Sequence, residues 1–307
     1  MKRTATTLSA GLVGFVCVFF ASARAHGQTI YVSNEGIPQY GGVPAYIEEF
    51  NSSGTGSVFA TGFRPSGIAV DSSGNVYVAN EFGGSILKYD SSGTGTVFAS
   101  GVSTPLGLAF DSSGNLYVVN GNYTYTIEKF DPSGNGSVFA SNLTLGASSI
   151  AIDSSGNVYE ASFLFHTIYK FDPSGNESVF VTSSLNNPTG LAVDSSGNLY
   201  VAWEGSETIE KYDSGGTSSV FAANIGAYGL AFDGSGNLYA VDVGKNGIDK
   251  FDSSGNMTVF ADYTESGLNN ATFIAVAPVP EPGTNFLVAA GIIGLLASRY
   301  LGAKGRV

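Results

Sequence analysis

The sequence predicts an all-β fold, a six-bladed β-propeller of four-stranded blades, on three observations. First, the chain repeats with a period of about 41 residues: Gly67-Ile-Ala-Val-Asp-Ser-Ser-Gly-Asn-Val-Tyr-Val-Ala-Asn80 returns from Gly107, Ser149, Gly190 and Gly229, and its opening returns at Phe273. A period of that length marks one supersecondary unit that buries its apolar faces against its neighbours. Second, a further module, Ile86-Leu-Lys-Tyr-Asp90 with Thr96-Val-Phe-Ala99, follows each time, from Ile127, Ile168, Ile209 and Ile248. Each unit therefore supplies four short strands. Third, the two ends are out of phase. Thr29 to Asn34, Tyr46 to Asn51 and Ser57 to Ala60 match strands two, three and four, while the missing first strand is Phe273 to Val276. That C-terminal strand 273–276 completes the N-terminal blade and closes the ring, which leaves no terminal repeat in need of a cap.

Composition agrees. With 42 glycines, 12% charged and 12% aromatic residues in 307, the chain suits many strands and tight turns and excludes a helical bundle. Thirteen basic against 25 acidic residues leave no electrostatic source for binding a phosphate backbone, so nucleic acid is excluded as a partner.

The innermost strand carries Ala69, Ala109, Ala151, Ala192, Ala231 and Ala275 at one step, small residues where blades converge. Their neighbours, Ile68 and Val70 and their counterparts, point to the other sheet face by period-two alternation. Phe59, Phe98, Phe139, Phe180, Phe221 and Phe260 fill the wider gaps further out. Asp71-Ser-Ser-Gly-Asn75 and its copies are tight turns, with Asp accepting from backbone N–H groups and Gly taking positive φ.

The ends read as addresses. Residues 1–25 form a secretory signal peptide: Lys2 and Arg3, a short apolar run, then Ala23-Arg24-Ala25. Its removal takes away Cys17, the single cysteine. At the other end Val279, Pro280, Glu281 and Pro282 precede an apolar run and then Arg299, Lys304 and Arg306. This order resembles the PEP-CTERM sorting signal of Gram-negative bacteria, here 279–307. The resemblance implies an exosortase-type sorting enzyme and the export machinery as partners, a transient membrane contact through 286–301 as a transmembrane helix, and a destination at the cell surface or outside the cell.

The body, 26–278, resembles the NHL-repeat family, through Gly-Ile-Ala-Val-Asp-x-x-Gly-Asn-Val-Tyr-Val-Ala followed by Ile-x-Lys-Phe/Tyr-Asp. That resemblance implies the same ring and covers binding platforms, lyases and lactonases alike. The Asp common after Tyr-Val-Ala stands here as Asn34, Asn80, Asn120, Ser162, Trp203 and Asp242. Variation concentrates in the loops opposite the uniform Asp turns, where selectivity normally resides. Phe82, Tyr123, Tyr125, Phe163, Phe165, His166, Trp203 and Glu204 form the expected ligand-binding face, suited to stacking on sugar rings. The expectation is accordingly a non-catalytic exported scaffold binding an exopolysaccharide or a biofilm-matrix protein, with no cofactor. The alternative is a lactonase or lyase with a divalent cation such as calcium over the axis, for which Glu35, Asn80, Asn120, Glu204 and Asp242 are the candidate ligands. His166 is the one histidine beyond the expected new N-terminus, so no imidazole pair is at hand for acid–base work.

Overall fold

A computed structural model describes residues 28–36, 44–121, 125–262 and 271–279. Strands follow the repeat. The chain opens with β1 (Ile30–Asn34), β2 (Tyr46–Phe50) and β3 (Gly56–Thr61). The second blade holds β4 (Pro65–Val70), β5 (Val76–Asn80), β6 (Ser85–Tyr89) and β7 (Gly95–Ser100). The third holds β8 (Pro105–Phe110), β9 (Leu116–Asn120), β10 (Thr126–Phe130) and β11 (Gly136–Ser141). The fourth holds β12 (Ala147–Ile152), β13 (Val158–Ser162), β14 (Thr167–Phe171) and β15 (Glu177–Thr182). The fifth holds β16 (Pro188–Val193), β17 (Leu199–Trp203), β18 (Thr208–Tyr212) and β19 (Ser218–Ala223). The sixth holds β20 (Ala227–Phe232), β21 (Leu238–Asp242), β22 (Gly247–Phe251) and β23 (Met257–Asp262), and β24 (Ala271–Val276) ends the series.

Six antiparallel four-stranded sheets result, and the first has the order β24-β1-β2-β3. The ring is closed as the phase of the repeat requires. Ile30 pairs with Val276, Tyr31 with Ala275, Val32 with Ile274 and Ser33 with Phe273.

What holds neighbouring blades together is a small residue set against a large one. Ala69 packs with Leu108, Ala109 with Ile150, Ala151 with Leu191, Ala192 with Leu230, Ala231 with Ile274, and Ala275 with Ile68. Further out, each outer-strand Phe meets a Tyr of its own blade edge to face, as in Tyr77–Phe98 and Tyr200–Phe221, both at 5.0 Å. The alanines thus face the gaps between blades. The axis itself is closed at its waist by Ile68, Leu108, Ile150, Leu191, Leu230 and Ile274.

The Asp motifs form the expected turns. Asp71 Oδ1 accepts from the backbone N–H of Ser73 and of Asn75, each at 2.9 Å, and Asn75 Nδ2 donates to Asp71 Oδ2 at 2.7 Å. Gly74 takes φ +83°, where any Cβ would be strained. Both described ends meet at this turn face. Ala277 N donates to Thr29 O at 2.9 Å, and Val276, Ala277 and Pro278 share a depression with Asp71 and Asp233.

The signal segment 1–25, Tyr123 and residues 280–307, including Pro280, Glu281, Pro282 and the apolar run, lie outside the described residues. Among the described residues no helix is long and apolar enough to cross a membrane. Val279 is described and exposed.

Candidate active site at the axial mouth

Every inner strand breaks register near its start, between Pro65 and Ile68 in β4 and between Ala227 and Leu230 in β20, for example. A bulge of this kind bends the strand and re-aims a side chain. The residue so turned is Ser66, Leu106, Ser148, Thr189, Tyr228 or Thr272, one per blade. Together with Glu35, Phe163 and Phe273 these six line a cavity of about 190 Å³ over the axis, on the face opposite the Asp turns.

One side of this mouth carries the ionisable groups. Glu35, just beyond β1, accepts from Thr272 Oγ1 at 3.1 Å and lies 3.5 Å from Arg64 Nη2. Arg64 Nε is also 3.5 Å from Glu81 Oε2, and its guanidinium stands 4.4 Å from the Phe82 ring centre. Burial pushes the Glu35 carboxyl above its ordinary range, against the pull of Thr272 and Arg64, and the Glu81 charge adds to the rise. In the adjoining blade the Tyr228 hydroxyl donates to Glu204 Oε1 at 2.6 Å. Burial raises the Tyr228 phenol further, as do the hydrogen bond to Glu204 and the charges of Glu204 and Glu35. The mouth thus holds a carboxyl whose pKa is raised by burial beside a phenol hydrogen-bonded to a second carboxylate.

The residues nominated from the sequence are scattered over this face. Glu35 and Phe163 line the mouth and Glu204 supports it through Tyr228. Phe82 is 70% exposed and covers Arg64, and Phe165 is 51% exposed at the rim. Tyr125 is half-buried, with φ +43°. His166 Nδ1 accepts from the Asn187 backbone N–H at 3.0 Å, which makes it a brace between blades four and five.

Trp203 corrects the expectation of an exposed stacking surface: it is fully buried. As the last residue of β17 it pairs with Pro188 on one side and Thr208 on the other, and its side chain belongs to the apolar cluster between blades four and five. Its counterparts Asn34, Asn120, Ser162 and Asp242 are buried for the same reason.

That burial bears on the expected cation. Asn80 and Asn120 donate to Ser85 Oγ and Thr126 Oγ1 beside them. Asp242 accepts from the Gly244 and Lys245 backbone and sits 2.7 Å from Lys245 Nζ. Glu204 and Glu35 are taken up by Tyr228, Thr272 and Arg64. Among the described residues no three His, Cys, Asp or Glu are grouped to hold a metal ion. Asp242, Glu204 and Glu35 thus each face a donor already, while the amide nitrogens of Asn80 and Asn120 are turned to neighbouring hydroxyls.

Tyr228, Arg64, Thr272 and Phe273 escaped the sequence reading. For Tyr228, Thr272 and Phe273 the signal was present in the variable steps of an otherwise uniform inner strand, immediately before or at the repeated glycine, whereas Arg64 lies just before its strand.

No protein-family profile matches the chain, and no curated protein matches it. Solved structures do. The virginiamycin B lyase of Staphylococcus aureus aligns at TM-score 0.60 and 15% identity over 84% of this chain and 93% of its own. A gluconolactonase of Xanthomonas campestris aligns at TM-score 0.52 and 20% identity over 64% and 74%. A Bacteroides caccae protein of unknown function aligns at TM-score 0.62 and 16% identity over 82% and 99%. The architecture is shared with enzymes. At these identities the likeness is one of fold. It nonetheless corrects the expectation of a non-catalytic scaffold linked to a biofilm, since the structures that resemble the chain include a lyase and a lactonase.

Proposed function

We propose that this chain is an enzyme of the lactonase or lyase kind, opening a cyclic ester at the axial mouth. The reading is carried by one observation: the half-buried Glu35 carboxyl and the Tyr228 hydroxyl, bonded to Glu204 at 2.6 Å, line one cavity from adjoining blades. Ring opening needs one group to take a proton and another to give one. In hydrolysis, Glu35 takes a proton from the attacking water as its oxygen bonds to the ring carbonyl carbon. The ring C–O bond then breaks and the departing oxygen takes the Tyr228 proton. The Glu35 proton passes back to the phenolate, and the net change is one water added. In elimination, Glu35 takes a carbon-bound proton instead and no water is consumed. Arg64 holds the Glu35 carboxylate from behind in both cases.

Turnover of a panel of lactones in heavy-oxygen water distinguishes the two, because only hydrolysis places solvent oxygen in the product. Glu35→Gln is expected to lower kcat/KM by about two to four orders of magnitude. Only the ionised carboxylate accepts a proton, so wild-type activity should rise with pH through a pKa above the ordinary carboxylate range. Undiminished turnover by Glu35→Gln would remove this assignment.

A further inference from the structure

Five inner strands carry glycine or serine at one step of the bulge, namely Gly67, Gly107, Ser149, Gly190 and Gly229, and the sixth carries Phe273. At Gly67 and Gly190 no side chain fits. A Cβ on Gly67 would stand 2.0 Å from the Leu106 carbonyl oxygen, and one on Gly190 2.1 Å from that of Tyr228. Phe273 lines both the mouth and the waist below it. A single aromatic side chain therefore makes the floor, in the shaft that the five small residues leave.

Leu106 and Phe163, in blades three and four, stand across the ring from Glu35 and Tyr228, in blades one and six. Together with Phe273 they form an apolar bay facing the ionisable groups. Three of the hydroxyls nearby are already spent as donors: Ser148 Oγ to Ala161 O at 3.3 Å, Thr189 Oγ1 to Ala227 O at 3.0 Å, and Thr272 Oγ1 to Glu35. A polyhydroxylated ligand would give up water for groups with little left to donate, whereas an apolar one would gain by leaving water. Three carboxylates, Glu35, Glu81 and Glu204, against Arg64 alone also disfavour an anion.

We propose that the substrate is an uncharged lactone bearing an apolar substituent, seated on Leu106, Phe163 and Phe273, and not a sugar lactone. This rests on the ring-opening reading above. The test is calorimetric binding of two unreactive probes, a hexyl-substituted γ-lactam and gluconolactam, to the full chain. It is run beside turnover of γ-decalactone and glucono-δ-lactone. The alkyl lactam should bind more tightly than gluconolactam. Phe163→Ser should weaken it about tenfold, in line with the worth of small apolar increments in a pocket, and Phe163→Leu should restore most of the affinity. Equal or tighter binding of gluconolactam, or an alkyl-lactam affinity unmoved by Phe163→Ser, would overturn the proposal. Preferred turnover of glucono-δ-lactone would overturn it as well while leaving the ring-opening reading intact. Tight alkyl-lactam binding with neither lactone consumed would support the apolar bay and remove the enzymatic reading.

Discussion

Deletion of Ala271–Val276 is expected to abolish the cooperative thermal transition of the whole ring, not to fray one blade. β24 supplies the inner strand of the first blade, and its Ile274 and Ala275 pack on both neighbours, against Ala231 and Ile68. Its loss exposes the edge of β1 and opens two interfaces at once, and a ring with both ends unpaired has no substitute contact. Ile274→Ala is a milder variant that keeps the strand. Ile274 is 6% exposed, and a buried Ile→Ala exchange costs about 2–5 kcal/mol, which corresponds to about 2–4 °C in Tm per kcal/mol for a domain of this size. Scanning calorimetry checks both. A deletion variant that melts at the wild-type temperature would show that the ring does not depend on its closure.

Glu160→Val is expected to stabilise the protein. Glu160, in the middle of β13, stands where other blades have Val32, Val78, Val118, Val201 and Ala240, and it is fully buried. Its cross-strand partners Ile150 and Tyr169 belong to the apolar cluster between blades three and four. Neither of its carboxyl oxygens has a hydrogen-bond partner among the described residues. Burial, with the Glu177 charge adding to it, drives this carboxyl well above the ordinary range, so the folded protein holds the proton to higher pH than the unfolded chain does. An unpaired buried polar group costs about 1–3 kcal/mol, which valine removes.

The sign with pH follows from linkage. The unfolded chain releases the Glu160 proton near the ordinary carboxylate pKa, while the folded chain keeps it to higher pH. Wild-type stability therefore falls as pH rises between those two values. Glu160→Val should flatten that limb of the profile. Glu160→Gln should also flatten it but leave a buried amide and so gain less. Denaturant melts across the pH range check the order, and a valine variant less stable than wild type at neutral pH would contradict it.

The ring was legible in the sequence because each structural feature is written there about six times. The Ala step, the Tyr-Phe spacing and the Asp turn repeat in register, and the half-unit at each end states how they close. The mouth was not legible, because it is made where the copies differ. Tyr228 and Thr272 sit at a step that is Ser66 or Leu106 elsewhere, and only the bulges bring that step to the axis. Trp203 was misread for a related reason. A residue bordering a loop in sequence is still the last member of a strand paired on both sides, and its side chain turns into the gap between blades. The nominated oxygen ligands Asn120 and Asp242 occupy that same buried step.

The meeting of Thr29 with Ala277 at the Asp-turn face also sets how the molecule presents itself. Anything joined to the ring through either end, whether a wall, a membrane or a fused reporter, holds it by its base like a cup by its foot. The opening guarded by Glu35, Phe163 and Tyr228 then faces away from that support, free to meet small molecules.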